Sequence, residues 1–342
     1  MQYVIIGGGL AGLVVANRLS EDSSVSVLVI ESGADTRNDD RIRSLDSYAQ
    51  VFDMANKDIN WFFATTNGKQ ILAGRGLGGS SSINGGAITR GDAVQYDNLG
   101  KLIGSSDDWN LATLRAYMQQ SETFALPSQA QTNAGAQYNS SVHGYSGPLS
   151  IRFGQVQGSS SRRDSDVAKR FYTGPYQRNF VQSIKTALGT NQVADLSAFQ
   201  SNGVAYTPNS MLPGTGNLRS SSAIAYLNPI ENTRSNLVVL TTWRGWKIIW
   251  DSNASTPTAT GVVIQQRSGG TTYNVKAGRE VIVAAGAIRS PVFLEHSGVG
   301  DPAILSKLGI PVKVSSPGVG RNLNEQTQTM YAQVFFVFVF FF

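Results

Sequence analysis

The run Tyr3-Val4-Ile5-Ile6 leads without a break into Gly7-Gly8-Gly9-Leu10-Ala11-Gly12, and Leu13, Ala16, Asn17 and Leu19 continue at helical spacing. A short apolar strand, a glycine turn and a helix in that order predict an α/β fold built on a parallel sheet. Each glycine of the turn has its own reason. Gly7 permits the tight bend, Gly9 lets the backbone approach a pyrophosphate, and Gly12 lets the helix pack on the strand, whose following helix N-terminus faces phosphate charge. A second apolar run, Val25-Ser26-Val27-Leu28-Val29-Ile30, ends on Glu31. That carboxylate comes about 20 residues after the glycines, where it can accept hydrogen bonds from adenosine ribose hydroxyls. The pattern predicts a doubly wound, Rossmann-like dinucleotide-binding unit and leaves NAD and FAD both open.

A second glycine- and serine-rich run lies far from the first: Arg75-Gly76-Leu77-Gly78-Gly79-Ser80-Ser81-Ser82-Ile83-Asn84-Gly85-Gly86-Ala87, followed by Thr89-Arg90-Gly91. Successive small residues expose backbone N–H groups and let the chain lie against a flat, extended ligand, with Ser80 and Asn84 offering hydrogen bonds of both senses. A flexible linker is the competing explanation. Leu77 and Ile83, spaced as buried residues are, argue against it.

Arg75 to Arg90 resembles the first signature of the glucose-methanol-choline (GMC) oxidoreductase family, and Gly286-Ala287-Ile288-Arg289-Ser290-Pro291 through Glu295-His296-Ser297-Gly298-Val299-Gly300 resembles the second. Arg219-Ser220-Ser221-Ser222, Asn236 to Thr241 and Pro317 to Leu323 add to the likeness, which spans Tyr3 to about Met330. Ser26 to Gly33, Asn84-Gly85-Gly86, His143-Gly144 and Asn322 to Thr327, with Gln326 where most relatives have His, are most similar to the glucose-oxidase branch. The resemblance implies FAD contacts at Leu10, Ala11, Glu31, Ser80, Asn84, Gly85 and Ala87, and at Gly245, which falls where a valine backbone touches the adenine in relatives. Gly286, at the end of the apolar run Val281 to Ala285, repeats the strand, small residue and helix start that approach a cofactor. Ser290-Pro291 is expected to begin that helix, with Ser as cap and Pro at the first helical position. The resemblance also leads one to expect a disulfide near the sequon at Asn139, where Val142 stands instead.

Composition narrows the chemistry. The 342 residues contain no Cys and two His, so disulfides, thiolate catalysis and Cys- or His-bound metal are excluded or disfavoured. The net charge is +5, but Lys and Arg are scattered among acidic residues, and the doublet Arg162-Arg163 is followed at once by Asp164 and Asp166, so no nucleic acid is expected as partner. No window reaches the roughly 18–20 apolar residues of a membrane span. Asn139-Ser140-Ser141 and Asn253-Ala254-Ser255 are glycosylation sequons, usable on a secretory route. The chain starts on a core strand, so a signal for an extracellular parent is expected upstream.

The expected organisation is a GMC amino-terminal region over 1–330. Its FAD-binding domain is discontinuous, about 1–125 and 203–330, with about 126–202 inserted towards an incomplete substrate-side domain. Residues 334–342, an unbroken Val/Phe run, form an anomalous apolar tail with an aggregation risk. The resemblance implies hydride transfer from a sugar or alcohol CH–OH donor to flavin, with oxygen or a quinone as acceptor and a homodimer left open. The family's proton-removing His pair is expected beyond the end of this chain, so no catalytic residue is assigned and the chain as written is expected to be inactive. A different alcohol or sugar dehydrogenase of the family, or a non-catalytic FAD-binding fragment, are the alternatives.

Overall fold

The computed structural model describes residues 1–154, 175–214 and 216–324. Its centre is a four-stranded parallel sheet. β1 (Tyr3–Ile6) lies between β2 (Val27–Glu31) and the strand Glu280–Val283, and the strand Leu237–Thr241 closes the far side of β2. Val4, Ile5, Val27 and Val29 are fully buried, as central parallel strands require. α1 (Leu10–Leu19) packs on this sheet through Leu13 and Ala16, together with Leu227 and Ile230 from the turn after the second half of the chain returns. Fully burying each such aliphatic side chain contributes about 1.5–3 kcal/mol. The side chain of Asn17 fixes the contact by donating to the carbonyl of Tyr226 at 2.6 Å.

Smaller sheets surround this centre. Trp243–Trp250, Ala259–Gln266 and Thr272–Lys276 form an antiparallel sheet, Asn60–Ala64 pairs with Gln70–Gly74, and Glu122–Phe124, Leu149–Arg152 and Asn209–Ser210 make a third group. Helices run over Leu111–Gln120, capped by Asn110, and Pro175–Leu188. A short helix, Gln129–Asn133, lies between them, which Ser128 and Gln131 cap reciprocally.

Two compact units divide at Gly286. The second begins at Ala287 and contains the strands Val299–Gly300 and Val314–Ser315 and the helix Pro302–Lys307, which Asp301 caps while pairing with Arg321 at 2.9 Å. The helix expected to begin at Ser290-Pro291 in fact runs Gly286–His296, with Pro291 inside it. Gly286, at φ +85°, turns the chain directly from strand end to helix, and Pro291 withholds an N–H from the second turn. The doublet at 162–163, Gln326 and the apolar tail at 334–342 lie outside the described residues.

Candidate dinucleotide-binding site

The glycine turn is closed from within. A Cβ on Gly12 would stand 2.0 Å from the carbonyl oxygen of Gly7, and Gly7 itself, at φ +107°, has Ala284 O where a Cβ would go. Helix and strands therefore approach closer than any other residue allows. Gly9 is different. Its φ is −84°, and a Cβ there would meet nothing nearer than Gly79 Cα at 3.8 Å. Packing among the described residues does not require glycine at this position. Gly9 also caps α1 without a side-chain hydrogen bond, and Leu10 and Ala11 are exposed, so no side chain of the cap residue satisfies the N–H groups at the positive end of this ten-residue helix.

Glu31 closes β2 and is 7% exposed. Its Oε2 accepts from Gly8 N at 2.8 Å, and its Oε1 accepts from Gly33 N at 2.7 Å and Gly76 N at 3.2 Å. Burial pushes the carboxyl above its usual range, against backbone N–H groups that pull it down. One carboxylate thus joins the glycine turn, the segment after β2 and the start of the second glycine-rich loop. A carboxylate has about four acceptor sites. Backbone N–H groups of Gly8, Gly33 and Gly76, with a further contribution from Ser32, act on them here.

The second loop crosses the first. Gly78 N donates to Gly8 O at 2.8 Å, and a Cβ on Gly79 would come within 2.9 Å of Gly9 Cα. Leu77 and Ile83 are buried, as their spacing predicted, while Ser80, Asn84 and Ala87 are exposed and Gly85 half-buried. Ser80 Oγ accepts from Gly74 N at 3.1 Å, and Ala87 bridges Asn209. The structure therefore brings Gly7, Gly9, Leu10, Ala11, Gly12, Glu31 and the Ser80 to Ala87 loop to the carboxyl end of one parallel sheet. Ligands of open α/β sheets bind at that end. Gly286 follows the neighbouring strand, and a Cβ there would meet open space. Gly245 joins less directly: it sits opposite Ile264 at a bulge, tied to the group through Thr242, whose N–H bonds Gly33 O at 2.9 Å. A separate cavity of about 90 Å³ between Arg37, Arg43, Leu212 and Arg219 is too small for a dinucleotide.

Residues 1–328 match the model of the family described as GMC oxidoreductase. The chain belongs to the GMC oxidoreductase family. It is 35% identical to a dehydrogenase of Armillaria gallica over 343 residues, covering 95% of this chain and 50% of that protein. It is 34% identical to a glucose oxidase of Penicillium chrysogenum over 331 residues, covering 96% and 51%. Among solved structures, an FAD-dependent oxidoreductase from Chaetomium thermophilum superposes with a TM-score of 0.79 at 29% identity, covering 93% of this chain and 51% of that one. The chain thus spans about half the length of the relatives it matches. GMC oxidoreductases are FAD-dependent, and FAD is the cofactor indicated for this chain.

In this GMC chain a charged cluster that pattern reading missed lies under the Asn139 segment. His143, 3% exposed, stacks on Phe124 at 3.8 Å and bonds Glu122 through Nδ1 at 2.8 Å and Asp195 through Nε2 at 2.7 Å. Arg90 pairs with Glu122 at 3.1 Å. Burial alone pulls the imidazole down, but the two carboxylates more than offset it, and His143 titrates above its ordinary value. Burial likewise pushes Asp195 up, yet the bonds from His143, Asn139 N and Ser197 N hold it below the usual range. Val142, where the resemblance pointed to a disulfide, is buried beside this network, which ties the same segments together by charge. His296 is exposed in the last turn of its helix.

Proposed function

We propose that the intact protein is an FAD-dependent oxidoreductase that takes hydride from the CH–OH group of a sugar or primary alcohol, with oxygen as acceptor and glucose as the first substrate to test. The observation that carries this reading is the junction at Glu31, where two glycine-rich loops meet over the carboxyl end of the sheet. FAD supplies the hydride acceptor. The chain's own residues would hold it. The N–H groups at Leu10, Ala11 and Gly12, with the space at Gly7 and Gly9, suit the pyrophosphate. Glu31, at the tip of the second strand, suits the ribose, Gly245 the adenine side, and Ser80, Asn84, Gly85, Ala87 and Gly286 the remaining length of the ligand.

The Armillaria gallica relative, a dehydrogenase at 35% identity beside 34% for the Penicillium chrysogenum glucose oxidase, supports a second reading with a quinone acceptor. Both sequon asparagines are exposed, which supports an extracellular parent. Anaerobic addition of glucose to the FAD-loaded intact protein separates the readings. Bleaching of the flavin band followed by peroxide on admitting air supports a glucose oxidase. Bleaching without peroxide supports the quinone-linked enzyme, and bleaching by aryl alcohols alone moves the substrate class. No bleaching by any alcohol or sugar overturns the catalytic reading.

A further inference from the structure

Arg219 is 3% exposed and pairs with no carboxylate among the described residues. Burying an unpaired cation is costly, and removing such a penalty is usually easy for a sequence to do. The side chain is nonetheless tightly held. Its Nε donates to Ile42 O at 2.9 Å, and its Nη1 donates to Ser81 O at 3.3 Å, Asn84 O at 2.6 Å and Asn84 Oδ1 at 2.9 Å. Its Nη2 has no partner among the described residues. Burial draws the guanidinium down to about 10, so it stays charged at neutral pH.

The consequence falls on Asn84. Its Oδ1 also accepts from Gly86 N at 3.0 Å. Two N–H donors converge on one side-chain atom, and that atom must be the amide oxygen, because the amide nitrogen accepts nothing. The flip state of Asn84 is therefore fixed by its neighbours. Asn84 is exposed, and its Nδ2 makes no hydrogen bond among the described residues. The loop is clamped from the same direction by Ser222 N, which donates to Ser81 Oγ at 3.0 Å.

We infer that Arg219 is a positioning residue for FAD: it locks the Asn84 amide so that Nδ2 is presented as a donor to an acceptor atom of the bound cofactor. The inference rests on the FAD reading above and adds the buried residue that acts through Asn84. A neutral side chain behind the loop could bond the Asn84 carbonyl, but the charged fork holds backbone and side-chain oxygens at once.

The test uses Asn84→Asp, Asn84→Ala and Arg219→Lys in the full chain, with FAD affinity by flavin fluorescence titration and thermal midpoint of the cofactor-free protein. Asn84→Asp keeps both acceptors, gives Arg219 a counter-ion and deletes the donor. Its thermal midpoint is expected to equal or exceed that of the wild type, while its FAD dissociation constant rises about tenfold or more. Arg219→Lys should weaken FAD binding, and adding Asn84→Ala to it should weaken binding no further, because both act through one hydrogen bond. FAD binding by Asn84→Asp at wild-type strength, or additive losses in the double variant, overturns the inference. Failure of the wild type itself to bind FAD overturns the cofactor reading instead. Should Arg219→Lys not fold, the opposite signs expected for Asn84→Asp still decide.

Discussion

Glu31 Oε2 sits 2.8 Å from Gly8 N, so the carboxylate that ends the second strand holds the middle of the glycine turn that follows the first. The other oxygen reaches Gly33 N and Gly76 N, 45 residues away. A residue expected to face the ribose is therefore also the fastener of the loops around the ligand.

Replacing Glu31 by Gln should damage both tasks. One oxygen becomes an NH₂ that confronts a backbone N–H, and an unsatisfied buried donor costs about 1–3 kcal/mol. Urea unfolding should show a loss of that size, and flavin titration a weaker complex. Glu295→Ala, on the helix Gly286–His296, should leave FAD affinity unchanged. Equal flavin dissociation constants for the two variants would contradict the placement of Glu31.

Gly9→Ala and Gly12→Ala should separate ligand space from packing space. The methyl at position 9 meets only Gly79 at 3.8 Å, so stability should change by less than about 1 kcal/mol while FAD binding is lost. At position 12 the methyl would lie 2.0 Å from Gly7 O, and the overpacked turn should cost about 3 kcal/mol or more. Thermal midpoints of the cofactor-free variants, set beside their flavin titrations, check the contrast. Unimpaired FAD binding by Gly9→Ala would show that no ligand uses that space.

The His143 network gives stability a pH dependence with a definite sign. A histidine whose pKa is raised on folding contributes fully below its ordinary value near 6.5, and the contribution is lost as pH rises through the raised value. Asp195, held low, contributes above its ordinary 3.8 and loses the contribution as pH falls through its lowered value. Thermal midpoints should accordingly hold level through mildly acidic pH and decline on the alkaline side above about 6.5. His143→Ala should cost about 3–5 kcal/mol at pH 6, because it leaves buried Asp195 without a cationic partner and takes one of two from Glu122, and should remove this alkaline decline. A wild-type midpoint that rises from pH 6 to pH 8 would contradict the assignment.

How much was legible follows from how local each signal is. The strand, turn, helix and second strand of residues 3–31 declare themselves through apolar periodicity and glycine placement, and both carry over unchanged into the fold. Ser80, Asn84 and Gly85 drew attention because a dense run of small residues has no ordinary use in a solvent loop, and the fold carries that run to the carboxyl end of the sheet beside the glycine turn. What stayed hidden depends on long separations. Glu122 and Asp195 lie 21 and 52 residues from His143, and Arg219 lies 135 from Asn84, so no spacing rule connects them. The helix start at Gly286 was misplaced for another reason. Ser-Pro is a strong local start signal, and it was overridden by a left-handed glycine that turns the preceding strand straight into the helix.

The central claim, that two glycine-rich loops joined at Glu31 form an FAD site, is tested most directly by equilibrium titration of the purified full chain with FAD, with NAD as the competing probe. The account predicts saturable binding of one FAD per chain, with a flavin absorption band that persists through gel filtration and is not displaced by excess NAD. Saturable binding of NAD with no retained flavin would contradict it.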